Sequence, residues 1–350
     1  MKPCLRSCCL LDNKSLLSIV VTSYTTERLK DIFSLLDSIK SQTYPNIEAI
    51  FVIERSRELY AKISTYSQEK NFQNLRLIFS NEKLGISEAR NVGIKSARGD
   101  IVAFTDDDAV LFPNWAEEVV LTFKKDNRII GVTGPVLPLW EDPSLDWFPE
   151  EFYWMIGCSG WTGLKVFCET DYAWGVNMSF RREAFANVSF NDGYSEGAQT
   201  EGKCGPVGDD VNFSYNAKAK TGKRIIYNPS LRVLHRVGRF KVTSKYIRRY
   251  SYWQGYSDAL HKHTSDAHSR KKTESFLLNK IVQRLIPSIL KRLTKDQNVA
   301  FKQLRVVVES LLFFSIGYLS YVIPSFFPIT SKLLISNNSV KSTKILTLGK

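Results

Sequence analysis

Hydrophobic and polar positions in residues 16–105 follow two alternating patterns. Short runs rich in Val, Ile and Leu predict buried strands at Leu16–Thr22, Ile47–Ile53, Leu75–Phe79 and Asp100–Thr105. Segments of helical spacing or helical length lie between them, at Leu29–Ile39, Leu59–Lys70 and Ser87–Ser96. Strands that alternate with helices predict an α/β fold with a parallel sheet covered on both faces. Ligands of such sheets bind at the carboxyl ends of the strands.

Residues 135–174 are rich in aromatic side chains and show no regular period. The large rings are Trp140, Trp147, Phe148, Phe152, Tyr153, Trp154 and Trp161. Aromatic faces suit sugar rings and lipid chains, and they are as commonly used for packing beneath a loop. The sequence leaves both uses open.

The pattern changes again after Ala267. Phe276–Phe301 carries apolar positions interleaved with Lys and Arg, which is typical of a basic amphipathic helix. Ser310–Ser331 has no charged residue over 22 positions, about the length that crosses a bilayer. Pro324 and Pro328 interrupt it. The segment is therefore interpreted as a membrane span, a hairpin lying in the membrane surface, or a core helix.

Net charge and cysteine content limit the classes of partner, and changes in composition along the chain suggest its domain bounds. Lys and Arg exceed Asp and Glu by 13, which indicates an anionic partner: nucleic acid, a phosphate-bearing ligand or an acidic membrane. Cys4, Cys8 and Cys9 lack a matching Cys or His pair for zinc. We expect a flexible N-terminus at 1–15, a main domain at 16–265, a helical membrane-associated region at 266–335 and a basic tail at 336–350. No signal peptide is evident, so the main domain is expected at the cell membrane, facing the cytoplasm.

Three consecutive carboxylates follow the last predicted strand directly. Asp106, Asp107 and Asp108 repel one another unless a cation or solvent compensates their charge. Magnesium and manganese prefer oxygen ligands, and a diphosphate supplies more of them. An Asp-x-Asp at a strand end therefore predicts a divalent-metal site that also binds a phosphorylated ligand.

Several motifs resemble those of one enzyme family in the same order. GISEARNVGIKSARGDIVAFTDDDA at 85–109 is similar to the donor-site core of the family 2 glycosyltransferases, which have the GT-A fold. LSIVVTSYTTER, SIKSQTYPNIEAIFVIE, WGVNMSFRREAF and GDDVNF resemble further motifs of that family, and together the similarity spans about residues 16–260. WFPEEFYWMIGC and YWQGYSDAL resemble the branch that includes archaeal and bacterial glucosyl-dolichyl phosphate glucuronosyltransferases.

The resemblance implies roles for residues on the side that binds the sugar donor. Asp106 is expected near the ribose and the metal, and Asp108 as the principal metal ligand, with His235 joining the metal or the diphosphate. Glu54 stands where the family usually has the Asp that contacts the base. Arg90 is expected to meet the diphosphate, with a salt bridge to Glu88 or Asp100 as its alternative role. The other implied donor-binding residues are Thr22, Tyr24 and Asp107.

Asp210 occupies the position of the family's catalytic base, with Asp209 beside it. The two adjacent carboxylates are expected to differ in pKa, which leaves one able to accept a proton from the acceptor hydroxyl. Their alternative role is the acidic N-cap of a helix over Val211–Ala219. The predicted acceptor-side residues are Trp147, Glu150, Trp174 and Asn177.

The resemblance implies inverting transfer from a nucleotide-sugar, UDP-linked or GDP-linked, with manganese or magnesium as cofactor. The acceptor is expected to be a polyprenyl- or dolichyl-phosphate-linked sugar, and the membrane a partner.

Basic residues near the end of the domain are predicted to close over donor or lipid phosphates: Arg236, Arg239, Lys241, Lys245, Arg248 and Arg249. Three alternatives stay open: an inactive membrane scaffold, a nucleic-acid-binding protein and a processive polysaccharide synthase. No nucleic-acid-binding module is recognisable, so nucleic acid is not expected as a partner.

Overall fold

The computed structural model describes residues 15–191, 205–264 and 278–323. The strands are β1 (Leu17–Ser23), β2 (Ile47–Glu54), β3 (Leu75–Ser80), β4 (Ile101–Phe104), β5 (Ala109–Leu111), β6 (Ile129–Thr133), β7 (Val136–Trp140), β8 (Cys168–Thr170), β9 (Met178–Arg181), β10 (Arg224–Tyr227) and β11 (Val233–Val237). The helices are α1 (Leu29–Lys40), α2 (Arg57–Glu69), α3 (Gly85–Ser96), α4 (Trp115–Lys125), α5 (Asp209–Thr221), α6 (Ser244–Thr264), α7 (Ile286–Arg292) and α8 (Gln297–Val322). One turn of π-helix, Ile281–Leu285, precedes α7.

The main sheet has the strand order β3-β2-β1-β4-β9-β6-β10-β8. The parallel strands β3, β2, β1 and β4 form one half of it, as the alternating pattern predicts. Beyond this half the sheet is mixed, because β9 pairs antiparallel with both β4 and β6, and β8 pairs antiparallel with β10. Strand β9 has only four residues, which is too short for hydrophobic periodicity alone to predict a strand. Buried side chains cover both faces of the sheet in two clusters.

A second sheet, in the order β5-β11-β7, lies at the carboxyl end of β4. Its strand β5 begins immediately after the acidic triplet and pairs antiparallel with β11, with His235 opposite Ala109. This pairing brings His235 next to the acidic triplet, which precedes it in the sequence by more than a hundred positions. The second sheet therefore positions the metal-ligand candidates.

The aromatic segment folds as irregular turns that bury most of their apolar side chains. Phe148, Phe152, Met155 and Ile156 belong to the core. Trp154 packs on Tyr250 of α6, with 5.8 Å between the ring centroids. Packing therefore accounts for the buried rings of this segment.

Helices α6 and α8 cross at two glycines. A Cβ on Gly255 would lie 2.0 Å from the carbonyl oxygen of Phe314, and one on Gly317 would lie 1.9 Å from that of Tyr252. Arg248 of α6 also pairs with the buried Glu309 of α8, at 2.7 Å. The two backbones thus touch directly, which ties α8 to the main domain.

No helix in the ranges 15–191, 205–264 and 278–323 is both long and apolar enough to cross a membrane. The predicted segment Ser310–Ser331 falls partly on α8, and its residues beyond 323 lie outside the described ranges. The predicted flexible N-terminus, with Cys4, Cys8 and Cys9, and the basic tail lie outside them almost entirely. The domain boundaries therefore stay predictions.

Candidate active site

The acidic triplet lies at the carboxyl ends of β1 and β4, where the parallel topology predicts a site. Asp107 accepts hydrogen bonds from the Ser23 hydroxyl at 2.6 Å and from an Arg28 nitrogen at 2.9 Å. The same Arg28 nitrogen lies 3.4 Å from a carboxylate oxygen of Asp108. Asp107 is therefore held by the loop after β1, which leaves its two neighbours to face other partners. The sequence reasoning missed Arg28, although it ends the LSIVVTSYTTER motif.

Asp106, Asp108 and His235 present ligand atoms that all lie within 4.8 Å of one another. His235 Nε2 is 3.2 Å from Asp108 Oδ1, and both side chains are buried. Burial alone would raise the pKa of Asp108, but the neighbouring His235 imidazole and the charges of Lys241 and Arg28 hold this pKa below its usual range. Asp108 is therefore an anion at neutral pH, as a metal ligand must be.

An unsatisfied oxygen indicates that this group suits a cation. Asp108 Oδ1 is buried and accepts no hydrogen bond from the described residues. Buried polar atoms are rarely left unpaired, and an ion that coordinates this oxygen removes the cost. Two carboxylates and an imidazole form the mixed oxygen and nitrogen donor set that manganese accepts readily. The residues present thus fit a divalent metal ion.

Gly157 and Lys241 enclose His235, and neither was predicted in this role. Gly157 has φ of 72°, and a Cβ there would lie 2.6 Å from His235 Cε1. The buried Lys241 places Nζ 3.3 Å from His235 Nε2. Three other members of the predicted basic cluster are paired elsewhere: Arg236 with Asp31, Arg239 with Asp142 and Arg248 with Glu309. The Lys241 side chain contacts His235, whereas Arg236 reaches the metal-ligand group through its backbone amide, which donates to the carbonyl oxygen of Asp108 at 3.0 Å.

Arg90 lies between the metal-ligand group and the predicted base. Its guanidinium hydrogen-bonds to Asp209 and lies 3.6 Å from Asp106. It also covers the ring of Phe190, 5.4 Å from the centroid. Neither partner proposed for a purely structural role, Glu88 or Asp100, pairs with it in the described part of the chain. Arg90 is buried, so its charge acts on both carboxylates in a medium of low polarity.

Asp210 is fixed by two backbone amides. The Gly175 N–H donates to one carboxylate oxygen at 2.7 Å, and the Val211 N–H to the other at 2.8 Å. Burial and the charge of Asp209 raise the pKa of Asp210 to about 6, against the opposing effect of Arg90. A carboxylate with this pKa is ionised at neutral pH and takes up a proton more readily than an exposed Asp does.

The alternative role of the acidic pair, an N-cap, was wrong in detail. The cap residue of α5 is Gly208, with φ of 101°, and Asp209 and Asp210 are the first two residues inside the helix. A side chain is strained at that φ, so glycine is required where the chain turns into α5. Negative charge in the first helical turn is stabilised by the helix dipole.

The predicted donor-side residues at the ends of β1 and β2 occupy different environments. Glu54 accepts hydrogen bonds from the backbone amides of Leu84 and Gly85, so its carboxylate fastens the start of α3 to the end of β2. Thr22 lies within β1 and is partly buried, whereas Tyr24 follows that strand and is 41% exposed.

The four predicted acceptor-side residues are not equivalent. Trp174 precedes Gly175 and therefore lies beside Asp210. Its indole Nε1 is buried and has no hydrogen-bond partner in the described part of the chain. Asn177 is committed to the core, because its amide accepts from Trp115 Nε1 at 2.9 Å and donates to Leu231 O at 2.6 Å. It was expected to face an acceptor, but its side chain is buried and bonded within the core.

Trp147 and Glu150 lie in the aromatic segment. The Trp147 carbonyl accepts a hydrogen bond from Gln303 of α8, and Lys302 covers its ring at 5.5 Å. Glu150 packs against Gly160, where a Cβ would lie 2.5 Å from its carboxylate. The contacts of Trp147 therefore connect the aromatic segment to the C-terminal helices.

Comparison with known proteins provides independent information on this arrangement. Residues 18–188 match the family model described as glycosyl transferase family 2. The chain is 29% identical over 295 residues to the glucosyl-dolichyl phosphate glucuronosyltransferase of Haloferax volcanii, covering 83% of this chain and 91% of that one. It is 32% identical over 113 residues to the putative glycosyltransferase EpsH of Bacillus subtilis, which is 32% of each chain.

A solved structure shares the fold. The mannosyltransferase PcManGT of Pyrobaculum calidifontis, in complex with GDP-Man and Mn²⁺, superimposes with a TM-score of 0.56 at 14% identity. The match covers 89% of this chain and 88% of that one. At this level of identity the likeness shows the fold alone.

Proposed function

We propose that this chain, a member of glycosyltransferase family 2, transfers a sugar from a nucleotide-diphosphate donor to an acceptor hydroxyl with inversion of the anomeric carbon. The observation that carries the proposal is the position of Arg90. Its guanidinium contacts Asp106 of the metal-ligand group and Asp209 beside the raised-pKa Asp210. The residues suited to a leaving diphosphate and the residue suited to a base are thus parts of one site.

In the proposed reaction the acceptor oxygen attacks the anomeric carbon as the bond from that carbon to the diphosphate oxygen breaks. Asp210 accepts the proton of the attacking hydroxyl, and the nucleoside diphosphate leaves. Asp106, Asp108 and His235 would hold a divalent ion, which neutralises charge on the leaving diphosphate. The amides of Gly175 and Val211 fix the Asp210 carboxylate, so that it does not have to reorient during proton transfer.

The proposed acceptor is a sugar linked to a polyprenyl or dolichyl phosphate, and the proposed location is the cytoplasmic face of a membrane. Two observations support the acceptor. The Haloferax relative, which aligns over most of both chains, bears the name of a transferase acting on a dolichyl-phosphate-linked sugar. The aromatic segment with Trp147 is joined to the C-terminal helices, whose outer surface is apolar. The proposed donor is a UDP-sugar, and a GDP-sugar is the alternative because the structural relative binds GDP-Man.

The test is calorimetric titration of UDP and of GDP into the full-length protein, with and without Mn²⁺. We expect binding of one nucleotide that requires Mn²⁺ and is lost in Asp108→Ala, because the variant removes the principal ligand. Asp126→Ala is the matched control. Asp126 precedes the amino end of β6, away from the carboxyl ends of the strands where the site lies, and it pairs with Arg128 and Arg224. Metal-independent binding, or unchanged binding in Asp108→Ala, would contradict the assigned metal site.

A further inference from the structure

Helix α8 is apolar on two opposite faces. Ala300, Val306, Val307 and Gly317 are buried on the face that packs toward the main domain. On the other face, large apolar side chains recur at spacings of three and four residues and are exposed to solvent. They are Phe301, Leu304, Val308, Leu311, Leu312, Leu319 and Val322. This outer stripe extends for about 32 Å at the rise of an α-helix.

The preceding helical segment has a second stripe of the same kind. Leu278, Val282, Ile286 and Leu290 follow one another at intervals of four and are 38–59% exposed. The residues next to them on the inner side, Ile281, Leu285 and Ile289, are buried. Two consecutive helices therefore present apolar residues outward, whereas an ordinary surface helix presents polar ones.

Positive charge accompanies the stripe in residues 278–290 and the start of the stripe on α8. Residues 278–305 contain seven basic side chains and one acidic side chain, Asp296. Asp296 accepts a hydrogen bond from the Val299 amide as the cap of α8. The exposed basic residues are Arg284, Lys291, Arg292, Lys295 and Arg305. An apolar surface bordered by such charge complements a layer that is apolar inside and anionic outside.

We propose that the two stripes, the α7–α8 face, lie on an anionic lipid bilayer, with the apolar side chains at the boundary of headgroups and acyl chains. The basic side chains then contact lipid phosphates. A second copy of the chain is the less suitable occupant, because a two-fold contact would place the same positive charges opposite one another. The charge pattern therefore favours an anionic bilayer over a second copy of the chain as the occupant of this face.

The role of this surface in catalysis rests on the proposed function, in which the acceptor is a lipid-linked sugar. Gln303 of α8 bonds to Trp147, and Lys280 donates to the carbonyl of Trp161 at 2.9 Å. Both contacts join the helices of the α7–α8 face to the aromatic segment. A protein lying on this face holds its aromatic segment next to the membrane in which the acceptor is anchored.

The test is flotation of the full-length protein with vesicles of phosphatidylcholine, with and without phosphatidylglycerol. The variant Phe301→Asn/Val308→Asn/Leu312→Asn changes three side chains that are 53–60% exposed. Val166→Asn/Phe167→Asn is the matched control, because these apolar residues are 68% and 43% exposed outside the helices. We expect partitioning to fall roughly tenfold or more in the triple variant, and to stay unchanged in the control. Arg284→Gln/Lys291→Gln/Arg292→Gln should weaken binding to the anionic vesicles alone.

Circular dichroism and nucleotide binding of the same variants verify that they fold. Unchanged vesicle binding by the folded triple variant would overturn the inference, as would a wild-type dimer that this variant dissociates in sedimentation. A wild-type protein that binds vesicles but no nucleotide would refute the proposed function and leave the membrane surface standing. The two proposals therefore fail separately.

Discussion

At the residue scale, the two functional carboxylates differ because their surroundings differ. Asp108 lies beside the His235 imidazole and the cations Lys241 and Arg28, which hold its pKa below the usual range despite its burial. Asp210 is buried next to a second carboxylate, which raises its pKa to about 6. One group is therefore suited to hold a cation and the other to exchange a proton. The same residue type acquires two chemical roles from its neighbours.

The raised pKa of Asp210 predicts the form of the pH profile. The base must be ionised, so the turnover rate should fall as the pH drops through about 6 and stay level above it. Asp210→Asn should lower kcat by about a hundred- to ten-thousand-fold, because it removes the proton acceptor. The nucleotide affinity measured by calorimetry should be unchanged. Near-normal turnover of the variant, with the same acid limb, would show that another group is the base.

Gly157 illustrates a residue that acts on the site through another side chain. Gly157→Ala should weaken Mn²⁺ binding several-fold, because the new methyl group collides with the His235 ring. Gly222→Ala is the control: Gly222 has φ of 65°, and a Cβ there would have no atom within 4 Å. Both variants should lose about 1–2 kcal/mol of folding stability from the strained φ. Equal metal affinity in the two variants, measured by calorimetry, would remove Gly157 from the site.

At the scale of elements, the crossing of α6 and α8 depends on two glycines, because a Cβ at either position would collide with the opposite backbone. Gly317→Ala should push the helices apart and destabilise α8 by about 1–3 kcal/mol. Because α8 does not contribute to the metal-ligand group, nucleotide binding should survive. The measurement is limited proteolysis, with cleavage within 297–322 expected to accelerate in the variant. Ser315→Ala, which changes an exposed position of the same helix, is the control.

Elements with a long, consistent period were predictable from sequence. The strands β1 and β2 and helix α1 begin and end within about two residues of the predicted positions, because burial imposes their pattern. The pairing partners of the short strands β5, β9 and β11 were not predicted. Their pairing depends on partners that are distant in sequence, and three to five residues carry little local signal.

At the scale of the whole molecule, the candidate site is assembled from contacts that no local pattern contains. The acidic triplet and the acidic pair were identified because each follows a recognisable motif. The proximity of Asp108 to His235 arises from the pairing of β5 with β11, and that of Arg90 to Asp209 from the packing of α3 near the start of α5. Arg28 and Gly157 needed three-dimensional structure, because their significance lies in what surrounds them. The basic amphipathic pattern of Phe276–Phe301 was predicted from the sequence, and the structure adds which apolar side chains face outward.

The position of Arg90 also has a thermodynamic consequence. One guanidinium neutralises Asp106, which belongs to the metal-ligand group, and Asp209, which lies next to the proposed base. A cation that binds Asp106 competes for that carboxylate, so the electrostatic field at Asp210 changes when the metal arrives. Linkage makes the effect reciprocal: the factor by which the metal changes the acid dissociation constant equals the factor by which ionisation of the base changes metal affinity. Metal binding on the donor side and ionisation of the proposed base on the acceptor side are therefore coupled equilibria.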